Sequence, residues 1–234
     1  PVLTARGFVA AGNLKPGDFV AEASCIPLSC KTDLTTEELE LIGLLIGDGT
    51  LTTLVAFSAK LPEKRLAFER VVPRVFPNCR VSWSGNTGRI VRVADIPKYS
   101  ASILRKLEVA GLKLNQFMKY NTWRVTGGRG AVSMQVLDEI EIATGESLWE
   151  ERCALFGSGA AKMWARNLGM LGAKAPGKRI PKKAMVADDA GVCVLLGSLW
   201  LTDGYVSKNT NEVSYCTASW GLAQDVMYLL LRIG

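Results

Sequence analysis

The 234-residue sequence contains no histidine, and its six cysteines (Cys25, Cys30, Cys79, Cys153, Cys193 and Cys216) show no C-x-x-C spacing. Those two absences exclude a Cys/His zinc site and a thioredoxin-like redox motif. No signal-peptide pattern and no apolar run of membrane-spanning length is present, so a membrane protein is not expected. Scattered thiols in an apolar-rich chain fit a reducing compartment, and the expected location is the cytoplasm. Gly127-Gly128-Arg129-Gly130 lacks the strand-Gly-Lys-helix context of a phosphate loop and reads as a flexible break.

What is present is an internal repeat. Leu41-Ile42-Gly43-Leu44-Leu45-Ile46-Gly47-Asp48-Gly49 returns as Leu196-Gly197-Ser198-Leu199-Trp200-Leu201-Thr202-Asp203-Gly204. Thr35 with Glu38 forms a capping box, which predicts a helix from about Thr36 to Ile46. Leu39, Leu41, Ile42, Leu44, Leu45 and Ile46 cover most of its circumference, so it is expected to be buried on nearly every side. Gly43 and Gly47 each cost such a helix roughly 1 kcal/mol relative to Ala. That cost is reasonable where a second backbone comes close, and the second copy offers Gly197 and Ser198 at matching positions.

Each copy also ends in a carboxylate, which the negative end of the helix macrodipole disfavours by roughly 0.3–1 kcal/mol. Two such helices side by side would add repulsion between Asp48 and Asp203. A divalent cation removes both penalties, and hard cations such as Mg2+ take oxygen ligands. The pair therefore reads as a metal site.

With its aspartates 155 residues apart, this repeat resembles the LAGLIDADG homing endonucleases in their single-chain, two-copy form. Strands and a helix follow each copy: Thr50 to Ser58 then Leu66 to Val75, and Tyr205 to Thr217 then Leu222 to Ile233. Before the second copy, Lys178-Arg179-Ile180-Pro181 resembles the Lys-x-Ile-Pro element found there in inteins. The opening string Pro1-Val2-Leu3-Thr4, Gly7-Phe8-Val9 and Leu14-Lys15-Pro16-Gly17-Asp18-Phe19-Val20 resembles an intein (Hint) splicing domain just after its Thr-x-x-His motif. The alternative for that string alone is a β-hairpin with a Pro-Gly turn. The splicing nucleophiles and terminal His-Asn of inteins are not in this sequence, so splicing by the chain alone is not expected. For Cys25 and Cys30, no nearby base supports a nucleophilic role.

The resemblance implies an α+β fold: a pseudo-twofold LAGLIDADG endonuclease of αββαββα repeats with saddle-like sheets, preceded by a β segment of a splicing domain. The expected divisions are 1–30 (partial splicing segment), 31–113 (first half), 114–184 (insert and basic linker) and 185–234 (second half, incomplete). In the first half, strands are expected near Thr50 to Thr53, Leu54 to Ser58, Arg80 to Ser84 and Arg89 to Val93, with a Gly85-Asn86-Thr87-Gly88 turn. Arg80, Ser82 and Ser84 alternate with Val81 and Trp83, and Ile90 and Arg92 with Val91 and Val93. A helix is expected over Tyr99 to Leu112, and further helices over Val132 to Ala143 and Trp149 to Leu168, with Trp149, Phe156 and Trp164 packing in the interior.

Charge is unevenly spread. From Ala59 to Gly130 there are 15 Lys or Arg against four acids, and from Ala131 to Arg152 the balance turns acidic. One surface for a polyanion and another facing elsewhere is the reading, against plain solvated faces.

The activity implied is Mg2+-dependent cutting of both strands of a long specific DNA site by a monomer, within a precursor whose host-protein flanks are its other partners. Asp48 and Asp203 would hold the metal, with the Gly47 and Thr202 carbonyls as further ligands. Lys98, just after the fourth strand, stands where many members keep a lysine that orients the attacking water; a plain surface lysine is the alternative. Arg80, Ser82, Arg89 and Arg92 would contact DNA from the sheet. Lys178 and Arg179 would do so from the basic stretch Lys174 to Lys183, which otherwise is a solvated linker. The competing readings are a non-cleaving DNA-binding or maturase-like module, and a scaffold within a splicing element.

Overall fold

The computed structural model describes residues 1–21, 31–93, 96–117 and 134–234. The chain is α+β. Its centre is a pair of helices, α1 (Thr36–Asp48) and, near the other end of the chain, a longer helix over Asp189–Asp203.

Before α1, β1 (Val2–Thr4) and β2 (Gly7–Val9) form an antiparallel hairpin with Phe8 exposed. Most of the segment expected to cross from here into the first half, with Cys25 and Cys30, lies outside the described residues. α1 starts at the expected capping box: the Glu38 amide donates to Thr35 Oγ1 at 3.2 Å and the Thr35 amide donates to Glu38 Oε2 at 3.0 Å.

After α1 come β3 (Gly49–Thr50), β4 (Ala56–Ser58), α2 (Pro62–Val75), β5 (Cys79–Ser84) and β6 (Thr87–Arg92). The four strands form one antiparallel sheet in the order β3-β4-β6-β5. Gly85, with a φ of +58°, makes the tight turn between β5 and β6 that a side chain would strain. The first two strands are shorter than expected, because residues 51–55 turn rather than pair, burying Leu51 and Val55 in the core.

The inner face of the sheet carries Phe57, Val81, Trp83 and Ile90, and α2 covers it, with Phe68 stacked on Phe57 at 4.6 Å. The outer face carries Arg80, Ser82 and Ser84, with Arg89 opposite Ser82. Arg92 corrects the expected pattern: it pairs with Cys79 and so belongs to the inner face, beyond Ile90. There its guanidinium donates to the Leu155 carbonyl at 3.1 Å.

α3 (Ile96–Val109), α4 (Met134–Thr144), α5 (Trp149–Phe156) and α6 (Ser158–Asn167) follow. The single helix expected from Trp149 to Leu168 is two, broken at Gly157 (φ +49°), where a Cβ would meet the Arg92 backbone nitrogen at 2.8 Å. Trp164 is buried beside Phe76, and Trp149 Nε1 donates to the Val75 carbonyl, so both pack inside as expected. Arg152, 1 % exposed, is neutralised by Asp138 and Glu141 of α4.

The stretch Lys174 to Lys183 is not a solvated linker. A short α7 (Lys182–Met185) ends it, Ile180 is buried, and its polar groups are held by both halves. α8 (Asp189–Asp203), capped by Asp188, leads into β7 (Gly204–Val206), β8 (Val213–Tyr215) and α9 (Trp220–Ile233). β7 and β8 form a sheet of two strands. No helix among the described residues is long and apolar enough to cross a membrane.

Candidate active site

Small residues set how closely α1 and α8 approach. A Cβ on Gly43 would lie 2.6 Å from Ser198 Cβ, and one on Gly47 would lie 1.9 Å from Thr202 Oγ1. The partners are therefore Gly43 with Ser198 and Gly47 with Thr202. Gly197 does not take part as expected, since a Cβ there would meet nothing within 4 Å. A one-residue shift of the small positions explains this: Gly43 aligns with Ser198 in the repeat, and Gly197 aligns with the bulky Ile42.

This approach brings the two helix C-termini together, and Asp48 and Asp203 with them. Burial, and then the Asp48 charge, raise the Asp203 carboxyl above the ordinary carboxylate value, against the opposing pull of Lys178 and Lys64.

Two lysines answer that charge. Lys64 Nζ, from the first turn of α2, donates to Asp48 Oδ2 at 2.6 Å and to the Thr202 carbonyl at 2.8 Å, tying the two halves together. Lys178 Nζ donates to the carbonyls of Ile46, Gly47 and Gly49 at 2.7, 2.9 and 2.9 Å, capping the end of α1. Burial lowers the Lys178 pKa, opposed by the Asp203 and Asp48 charges. The segment that delivers Lys178 is fixed by Asp225 of α9. Asp225 accepts from Arg179 Nε at 2.7 Å, from Arg179 Nη2 at 2.6 Å and from the Ile180 amide at 3.0 Å. Ser219 Oγ donates to the Lys178 carbonyl and also accepts from the Leu222 amide, capping α9.

These contacts revise several expectations. Lys178 is half-buried with its ammonium on three carbonyls of the α1 end, whereas Arg179 stays exposed while paired with Asp225. The Gly47 and Thr202 carbonyls, expected as metal ligands, already accept from Lys178 and Lys64. Arg80, Ser82 and Arg89 share the outer face of the sheet, whereas Arg92 lies on the opposite face, exposed at the end of β6 with its guanidinium on the Leu155 carbonyl. The Lys98 side chain lies outside the described residues. Lys64 was missed. Its signal was a cation in the first turn of a helix, the end where the macrodipole disfavours it.

Among the described residues no group of three or more acidic or thiol side chains is placed to hold a metal. Two carboxylates nonetheless fit Mg2+, which commonly takes one or two carboxylates and completes its shell with water and substrate phosphate. The raised Asp203 pKa reports a carboxylate that is desolvated and repelled by Asp48, a cost that a cation would offset.

Residues 192–234 match the LAGLIDADG-like domain. The match runs from within α8 through α9, and it supports a DNA-binding nuclease domain of the homing-endonuclease type. Over 99% of its length the chain is also 27% identical to a replicative DNA helicase DnaB of Rhodothermus marinus, of which it covers 20%. A stretch of 76 residues, 30% of the chain, is 34% identical to 9% of a replicative DNA helicase DnaB of Synechocystis. The chain thus spans about a fifth of the length of the first of these relatives.

Proposed function

We propose that the chain is the endonuclease region of an intein and makes a Mg2+-dependent double-strand cut in a long DNA site. The observation that carries this reading is the convergence of Asp48 and Asp203 at the ends of two tightly packed helices, with Lys64 and Lys178 beside them. In support, nearly the whole chain aligns with a fifth of a much longer protein, as an inserted element would. The likeness does not come from a nucleotide site. Gly172 to Lys178 has the spacing of a phosphate loop, but Arg179 stands where Ser or Thr is required and Lys178 caps α1.

Asp48 and Asp203 would hold the metal, whose charge activates water and neutralises the scissile phosphate. The chain's own part is positional. The Gly43 and Gly47 contacts fix the spacing of the carboxylates, and Lys64 and Lys178 set fixed positive charge beside them. Arg80, Ser82 and Arg89 form an outward basic and hydroxyl face suited to DNA phosphates and base edges.

The second reading is a DNA-binding module that does not cut. It is favoured by the Lys64 ammonium already resting on Asp48. Incubation of supercoiled plasmid carrying an uninterrupted replicative-helicase gene from the source genome, with Mg2+ or with EDTA, tests the two. Metal-dependent linear product supports the nuclease; salt-sensitive retention without nicking supports the binding module.

A further inference from the structure

Lys64 sits where its own helix disfavours it. It is the third residue of α2, at the end whose macrodipole repels a cation, yet its side chain is only 16 % exposed. What holds it there is the meeting of two helix ends of the opposite sign: α1 and α8 both finish beside it, in Asp48 and Asp203. The ammonium donates to Asp48 Oδ2 at 2.6 Å and, across 138 residues of sequence, to the Thr202 carbonyl at 2.8 Å. Asp48 and the Thr202 carbonyl are two of the four groups expected to hold a metal, one from each half.

The second half supplies no counterpart. α2 and α9 are each 14 residues long and each follows the second strand after its motif, so Leu222, the third residue of α9, stands in the place of Lys64. Leu222 is a buried apolar side chain, and one ammonium therefore serves both helix ends. Asp48 keeps 26 % of its side chain open, so an ion from solution can reach the pair. A partly exposed ion pair is weakly held. A divalent cation brings twice the charge to the same carboxylate, repels the ammonium beside it and satisfies the same helix ends. The two cations compete for one place.

We propose that Lys64 is the resident cation of the metal-free site: its ammonium ties Asp48 to the end of α8 until a divalent cation arrives, and leaves the carboxylate when one binds. This inference rests on the nuclease reading above, and experiments with the metal alone, without DNA, separate the two. Binding of Mn2+ to the purified chain is measured by calorimetry, and lysine acetylation by acetic anhydride is followed by mass spectrometry with Mn2+ or with EDTA. Lys106, which pairs with Glu151 instead, is the internal reference. Lys64 is expected to be acetylated several-fold faster with Mn2+ than with EDTA while Lys106 is unchanged, and in Asp48→Asn to be fast in both. A lysine that is only a structural tie would be labelled at one rate with and without the metal. Where wild type binds Mn2+, that labelling decides: a rate for Lys64 that does not move overturns its exchange and leaves the metal site standing. Lys64→Met is then expected to bind Mn2+ about tenfold more tightly, because nothing has to be displaced. Where wild type binds no Mn2+, Lys64→Met decides, with Lys64→Gln in its place if the methionine variant does not fold. Binding gained in the variant supports the exchange, and no binding in either protein overturns both the exchange and the metal reading.

Discussion

The first half of the molecule holds its aspartate with a lysine and backs it with four strands; the second half leaves its aspartate beside unpaired aromatic donors and backs it with two. Two helices that each end in Asp-Gly thus meet two different electrostatic environments. Asp48 is settled by Lys64, whereas Asp203 is desolvated and destabilised by its neighbour. What differs is the side chains delivered by later elements, α2 on one side and β8 on the other. The helices fix where the carboxylates sit, and the flanking elements fix how each behaves.

The largest effect expected from breaking this comparison is on cleavage: Asp48→Asn and Asp203→Asn should each reduce it to background while DNA retention on a filter is largely kept. Their thermal melts should diverge. Asp48→Asn loses the Lys64 tie and should melt lower. Asp203 has a raised folded pKa, so the folded state holds its proton more readily than the unfolded one. Stability from this group is therefore present in acid and declines as pH rises from the ordinary carboxylate value through the raised one. At neutral pH Asp203→Asn should melt higher, by about 2 °C, since ~1 kcal/mol moves a domain of this size by a few degrees. The cleavage rate should rise with pH over that same acid window, as Asp203 ionises.

Gly47→Ala comes next. Its Cβ would overlap Thr202 Oγ1, and denaturant unfolding should show a loss of about 1–3 kcal/mol. Gly197→Ala, on the open side of α8, should instead gain up to ~1 kcal/mol. Lys178→Met leaves three carbonyls at the end of α1 without their donor and should cost about 1–3 kcal/mol in the same measurement.

The smallest effects belong to the sheet surface. Arg80→Ala and Arg89→Ala should each lower the slope of log binding constant against log salt by about 1, read from DNA titrations at several salt concentrations. Arg92→Ala, whose guanidinium is tied to the Leu155 carbonyl, should leave that slope unchanged.

Much of this was legible in the residues. The capping box at Thr35 and Glu38, the apolar circumference of α1, the Gly85 turn and the alternation of Arg80 to Ser84 are local patterns, and each produced the element it predicts. Patterns of period two fail at strand ends, and Arg92 was misplaced because Ile90, on its own face, is the residue that is buried. The single helix expected over Trp149 to Leu168 was cut by a contact between Gly157 and β6, which no local propensity reports. Basic residues were the hardest to place. Lys178 looks like any exposed lysine until the end of α1 is brought beside it, and nothing local marks Asp225 of α9 as the partner of Arg179, which stays exposed.

By itself, then, the sequence determined the repeat, the two buried helices, their small faces and the aspartates that close them, because caps, periodicity and glycine cost act over a few residues. Only the tertiary structure decided which glycine meets which partner and which lysine neutralises which carboxylate. Those contacts span 138 residues for Lys64 with Thr202 and 131 for Lys178 with Gly47. Charge pairing depends on distance in space, and that distance exists only after the helices have packed.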